Sequence, residues 1–256
     1  MTDFLYPFIE GDERDAGPLL IDLAASAESK AGTSRALQVA TLAEQHASIE
    51  AAADAMAERF ALGGRLLVFG NGGSSTDAAG VASLFARPPR GVAVAALDLA
   101  CDPATLTALG NDVGFELVFS RQVIAHGRAG DVAIGISTSG TSRNVLVALD
   151  EARRRGLLTV GLTGYGGGAM AGADLDHCLV VHSDSVHRIQ EAQAASAFAL
   201  WSAVQARLLS RGEGRDVARA ARRAQRGQSG KHGLDLAADQ IGATPPHVPI
   251  RGAVDG

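Results

Sequence analysis

Leu66-Leu67-Val68-Phe69-Gly70-Asn71-Gly72-Gly73-Ser74-Ser75 is the stretch from which the fold is read: an apolar run passing directly into glycines and serines. The pattern recurs where Val132-Ala133-Ile134-Gly135-Ile136 runs into Ser137-Thr138-Ser139-Gly140-Thr141-Ser142. Each is a buried strand handing over to a helix. A helix N-terminus carries unpaired N–H groups and a partial positive charge, so it attracts anions such as phosphate. Glycines allow close backbone approach, and hydroxyls add donors without charge. Two such loops in equivalent settings point to a phosphorylated small molecule held between them. The competing reading is two tight turns with good N-caps.

Working outward, strand and helix alternate. Strands are expected at 65–69, 92–97, 132–136, 157–162 and 178–181, and helices at 76–86, 103–109, 116–126, 142–155 and 186–209. A helix over 34–61 precedes them, closed by Gly63-Gly64. Upstream, Gly11, Gly17, Pro18 and Gly32 punctuate a mixed segment with a short helix at 19–29. The strands are continuous apolar runs, as when both faces are covered. The alternation implies right-handed crossovers and a mostly parallel sheet between two helical layers. In such folds ligands sit beyond the carboxyl ends of the strands, where both loops lie.

Composition excludes several classes. The net charge of −5 gives no global attraction to nucleic acid, and Cys101 and Cys178 are too few for a disulfide framework. The acidic start (Asp3, Glu10, Asp12, Glu13) does not read as a signal peptide, and no apolar run reaches the roughly 20 residues that span a bilayer. The chain is expected to be cytoplasmic and away from membranes. From Arg211 onward arginines dominate, followed by Pro245, Pro246 and Pro249; this reads as a flexible tail. A dinucleotide fingerprint needs glycine where Ser75 stands, although Asp98 could serve as its ribose carboxylate; a P-loop lysine is missing from both loops.

Five ordered motifs narrow the reading: Gly70-Asn71-Gly72-Gly73-Ser74; Gly110-Asn111-Asp112; Gly130-Asp131 leading to Gly135-Ile136-Ser137-Thr138-Ser139-Gly140; Leu162-Thr163-Gly164; and Arg188-Ile189-Gln190-Glu191. Together they resemble the sugar isomerase (SIS) domain family, and within it the phosphoheptose isomerase branch. That branch includes a non-enzymatic cousin that regulates replication initiation through the initiator protein, so a regulatory protein partner is one option. The resemblance implies a three-layer α/β/α sandwich with a five-stranded, mostly parallel sheet (flavodoxin-like) over 34–210, flanked by an extension (1–33) and the tail (211–256). It implies a homotetramer, or a dimer, with sites at subunit interfaces and a phosphorylated sugar as ligand. Carried over by position, Ser137, Thr138, Ser139 and Ser142 contact phosphate, and Asn71, Gly72, Gly73 and Ser74 line the sugar. Asn111 and Asp112 reach its hydroxyls, and Gln190 approaches the reacting carbons.

The same resemblance implies zinc and acid–base groups that this sequence does not supply. A histidine and, four residues on, a glutamate are expected where Gly80 and Leu84 stand, and a further histidine where Phe198 stands. None of these can ligate zinc or move a proton. The remaining candidates are Gln190, His187 three residues before it, and Glu191 beside it. Asp77 reads as a first-turn carboxylate stabilising its helix. Two functions stay open: a sugar-phosphate-binding or scaffold protein without the usual metal-assisted catalysis, or an aldose–ketose isomerase using substitute residues.

Overall fold

The computed structural model describes residues 17–238. Sequence readings on residues 1–16 (Gly11, and the acidic start) and on 239–256 (the three prolines of the tail) lie outside the described residues. Contacts divide the chain into one compact unit ending at Leu209 and a second beginning at Ser210.

Five strands, β1 (Leu66–Gly70), β2 (Ala96–Asp98), β3 (Val132–Ser137), β4 (Leu158–Gly164) and β5 (His177–Val181), form one sheet in the order β2-β1-β3-β4-β5. Every neighbouring pair is parallel. The helices are α1 (Gly17–Glu44), α2 (His46–Ala61), α3 (Gly73–Ala86), α4 (Pro103–Asp112), α5 (Val118–His126), α6 (Arg143–Arg154), α7 (Gly168–Ala171) and α8 (Val186–Ala238).

The alternation of strand side chains explains the layering. Leu66 and Val68 of β1 enter one core with Met56 of α2, Phe85 of α3 and Trp201 of α8; Leu67 and Phe69 enter the opposite core with Phe119 of α5 and Leu149 of α6. Successive strand residues face opposite sides, so a strand covered on both faces must be apolar throughout. Burying these two faces supplies the main driving force, at roughly 25 cal/mol per Å² of apolar surface.

One row across the sheet is kept thin. Phe69, Gly135, Gly161 and Cys178 are in register along it. A Cβ at Gly135 would lie 2.8 Å from Leu149 and 2.9 Å from Val145, so the glycine sets how closely α6 sits on β3.

Five expectations need correction. The helical segment at 19–29 is not separate: α1 runs through Gly32, a cost of only about 1 kcal/mol. The helix over 34–61 is divided at Gln45 between α1 and α2. The strand over 92–97 shrinks to Ala96–Asp98. Its first residues pair elsewhere, the Gln205 amide accepting from Val92 N–H (2.7 Å) and donating to Val92 O (2.9 Å). The helix starting at 76 begins at Gly73, because Ser74 and Ser75 N–H groups already donate to Asn71 O and Gly72 O at 3.0 Å. The last helix extends to Ala238 rather than stopping at 209.

Gly135→Ala should lower unfolding free energy by about 1–3 kcal/mol through overpacking beneath α6. Urea denaturation followed by circular dichroism reads this as a lower midpoint at unchanged slope.

Candidate functional site

The second serine loop folds onto itself. Ser137 Oγ lies 2.9 Å from Ser142 Oγ, to which it donates, and 3.4 Å from Ser139 Oγ. Thr141 donates to Ser139 Oγ through its N–H (3.2 Å) and its hydroxyl (2.9 Å). Ser142 is the N-cap residue of α6, but its side chain makes no cap hydrogen bond. The hydroxyls therefore bond to one another in front of the helix end instead of capping it, at the positive pole of α6.

Gly140 holds the loop closed. Its φ is +65°, and a Cβ there would run into the Gly167 carbonyl. Two further bonds pin it from the β4 side: Gly164 N–H to Thr138 O (3.0 Å) and Met170 N–H to Gly140 O (2.9 Å). This gives the Leu162-Thr163-Gly164 motif its structural role.

The two loops are joined by a residue that the sequence reading passed over. Asn144, buried in the first turn of α6, donates from Nδ2 to Asn71 Oδ1 (2.9 Å) and accepts at Oδ1 from Asn71 Nδ2 (2.8 Å). This reciprocal amide pair fixes α3 and α6 at a set separation. Its only sequence signal is a polar side chain at a position facing the core.

Gln190 reaches the first loop from α8. Its Nε2 sits against Gly73 Cα, where any Cβ would collide. Asn71, Gly72, Gly73, Ser74, Ser137, Thr138, Ser139, Ser142 and Gln190 thus gather at the carboxyl edge of β1 and β3. Asn111 and Asp112 do not join them by hydrogen bonds; they end α4, exposed, with Asn111 Nδ2 donating to Asp112 Oδ1 at 2.9 Å. Asp98 accepts from Ala100 N–H at 2.9 Å.

His187 and Glu191 point elsewhere. They line a cleft of about 620 Å³ against α1, with Lys30, Arg35 and Arg188, and Glu191 accepts from the Ser34 hydroxyl. Three helical residues turn by about 300°, so a position three before Gln190 is offset by roughly 60°. That offset carries His187 into the α1 cleft.

Gly80, Leu84 and Phe198 wall a separate chamber of about 230 Å³ between α3 and α8, floored by Ile136 and Leu162. Glycine, leucine and phenylalanine offer zinc no donor, and among the described residues no three His, Cys, Asp or Glu side chains are grouped to hold a metal. The residues present do not fit the metal that the resemblance implies.

Thr76, Asp77 and Gln193 are the polar residues lining this chamber. Asp77 is not in the first turn of α3 as its spacing suggested, because the helix starts earlier. Its Oδ2 and both amide atoms of Gln193 are buried without a partner. Desolvation by burial raises the Asp77 carboxyl above its ordinary 3.8.

Residues 31–164, just over half of the chain, match the family model described as the SIS domain. The chain belongs to the SIS domain family. Within its relatives, the phosphoheptose isomerase of Roseiflexus sp. is 46% identical over 155 residues, which cover 59% of this chain and 77% of that protein. The phosphoheptose isomerase of Desulfovibrio desulfuricans is 49% identical over 156 residues, 58% of this chain and 71% of that protein. Among solved structures, phosphoheptose isomerase from Neisseria gonorrhoeae superposes with a TM-score of 0.67 at 35% identity, covering 72% of this chain and 99% of that one. The three-layer α/β SIS fold with its parallel sheet is thus established. Among the described residues, no helix is long and apolar enough to cross a membrane.

A carboxyl whose folded-state pKa is raised contributes stability at low pH that is lost as pH rises through the folded value. Asp77→Asn, which cannot ionise, should therefore gain stability relative to the parent as pH increases above 3.8. Urea midpoints measured from pH 3 to pH 8 should diverge in that direction; parallel curves would show that Asp77 ionises freely.

Proposed function

We propose that this SIS domain binds a phosphorylated sugar and does not carry out the metal-assisted isomerisation of the phosphoheptose branch. The observation that carries this reading is the cluster of Ser137, Ser139, Thr141 and Ser142 hydroxyls in front of an α6 N-terminus they do not cap. Such a site suits a phosphate dianion, which accepts from hydroxyl and backbone donors and is favoured by the helix dipole. In this reading Asn71, Gly72, Gly73, Ser74 and Gln190 line the attached sugar, with Asn111 and Asp112 as outer contacts. Sedoheptulose 7-phosphate is the first probe because the relatives are phosphoheptose isomerases.

Cytoplasmic residence and assembly as a homotetramer belong to the same reading. Exposed Leu20, Ile21 and Leu23 on α1 support assembly, since large apolar side chains in a row favour burial against a second copy. A scaffold or regulatory role fits a ligand-binding domain with glycine, leucine and phenylalanine at the branch's expected histidine and glutamate positions, Gly80, Leu84 and Phe198.

The parent protein should show a rise in thermal midpoint with sedoheptulose 7-phosphate, and Ser139→Ala combined with Ser142→Ala should abolish it. An unshifted parent would remove the sugar-phosphate reading. The isomerase alternative has one observation in its favour, the half-buried Asp77 carboxyl, because a raised pKa suits a general base. Isomerisation exchanges the proton alpha to the carbonyl. Incubation in heavy water should leave the bound sugar unlabelled by mass spectrometry, and deuterium uptake would restore the enzyme.

A further inference from the structure

The cleft of about 620 Å³ between α1 and the first turns of α8 shares no lining residue with either serine loop. Its α1 wall is Lys30, Ala31, Ser34, Arg35 and Gln38. Positions 30, 34 and 38, and 31 with 35, follow the i, i+4 spacing that puts side chains on one face of a helix. A helix face turned toward its neighbour is ordinarily apolar. Here it is polar and cationic, while Leu20, Ile21, Leu23 and Val39 of the same helix stand exposed.

The α8 wall is Ser185, His187, Arg188 and Glu191. A relay of hydrogen bonds fixes one wall to the other: Gln38 Nε2 donates to Ser34 Oγ at 3.1 Å, and the Ser34 hydroxyl donates to Glu191. Glu191 is the one carboxylate among the lining residues, and this bond engages it. Among the described residues, no carboxylate forms an ion pair with Lys30, Arg35 or Arg188. The helix end adds to the positive excess. The first turn of α8 holds no acidic residue, and His187 and Arg188 stand where the helix dipole favours negative charge. Asp184, ahead of the helix, is exposed and does not line the cleft. A cleft lined by one sign of charge concentrates the opposite ion within it.

The guanidinium groups of Arg35 and Arg188 are planar forks, each matched to two oxygens of a phosphate, and the Lys30 ammonium is a point charge suited to a further one. Lys30 and Arg35 stand about 7.5 Å apart along the α1 axis, which spreads the charge over the cleft. The volume lies within the roughly 300–1,000 Å³ of sites that take drug-sized molecules, more than a single phosphate fills. We infer that this cleft binds a small molecule carrying two or more linked phosphate groups, held by Lys30, Arg35 and Arg188 beside the amino end of α8. The site is independent of the sugar-phosphate reading. It divides the Arg188-Ile189-Gln190-Glu191 motif between two tasks: Gln190 meets the first loop, while Arg188 and Glu191 build the cleft.

Isothermal titration of the full chain with inorganic tripolyphosphate, inorganic phosphate and hexaglutamate tests it. Tripolyphosphate should bind about tenfold or more tightly than either other anion. Arg35→Gln combined with Arg188→Gln removes two charge-assisted contacts and should weaken tripolyphosphate by about tenfold or more. Lys30→Gln, at an exposed site on α1, gives a second route and should weaken it by about threefold. Ser139→Ala with Ser142→Ala should leave the tripolyphosphate affinity unchanged, as should Arg222→Gln with Arg223→Gln in the arginine-rich stretch after residue 211. A parent that binds no tripolyphosphate, or binds phosphate or hexaglutamate as tightly, would overturn the inference. So would an affinity that survives both Lys30→Gln and the Arg35, Arg188 pair, or one lost with the serine pair or the Arg222, Arg223 pair, since the anion then lies elsewhere.

Discussion

The reciprocal amide pair between Asn71 and Asn144 is the constraint on which the site depends. Parallel strands β1 and β3 are adjacent, and the helices that follow them leave toward opposite faces of the sheet, α3 over one core and α6 over the other, with both N-termini at the carboxyl edge. Two such ends repel, and the loops feeding them are short of side-chain bulk. A neutral, two-bond clamp holds them at fixed spacing without adding a charge that would compete with an anion. The Gly140 turn, the Met170 N–H bond and the Gln190 contact with Gly73 all brace loops whose separation that pair has already set.

The packing behind the edge works to the same end. The glycine row through Gly135 and Gly161 lets α6 and the Met170 segment settle closely on the sheet. The ion pair between Arg65 and Asp131 (2.8 Å), with Asp131 also accepting from the N–H groups of Arg65 (2.8 Å) and Arg128 (3.0 Å), ties β1 and β3 at the opposite edge. Being largely buried and multiply bonded, it contributes more than an exposed pair would. The core is therefore clamped at both ends of its two central strands.

The parts legible in the sequence were those whose physics is local. Apolar runs, glycine-serine turns and helical spacing located the strands, the second only in its last residues, and the two serine loops, because each signal lies within a dozen residues. What escaped depended on distant partners. Gln205 consumes the first residues of the expected second strand from 113 positions away. Asn144 looks like an ordinary polar residue in a helix until Asn71 is seen opposite it. Asp77 was placed by counting from a helix start three residues too late, and His187 by treating a 60° offset as none. The chamber was marked in the sequence only by Gly80, Leu84 and Phe198 standing where polar side chains were expected; that these three meet depends on two helices more than a hundred residues apart in the chain.

Gln190, Gln193 and Phe198 share one uninterrupted helix, and this turns α8 into a ruler. At about 1.5 Å per residue, Gln193 lies roughly 4.5 Å and Phe198 roughly 12 Å along the axis from the residue that touches the first loop. Neither distance can adapt without unwinding backbone hydrogen bonds. Any change that shifts the register of α8 at the first loop therefore moves Gln193 and Phe198 by the same step.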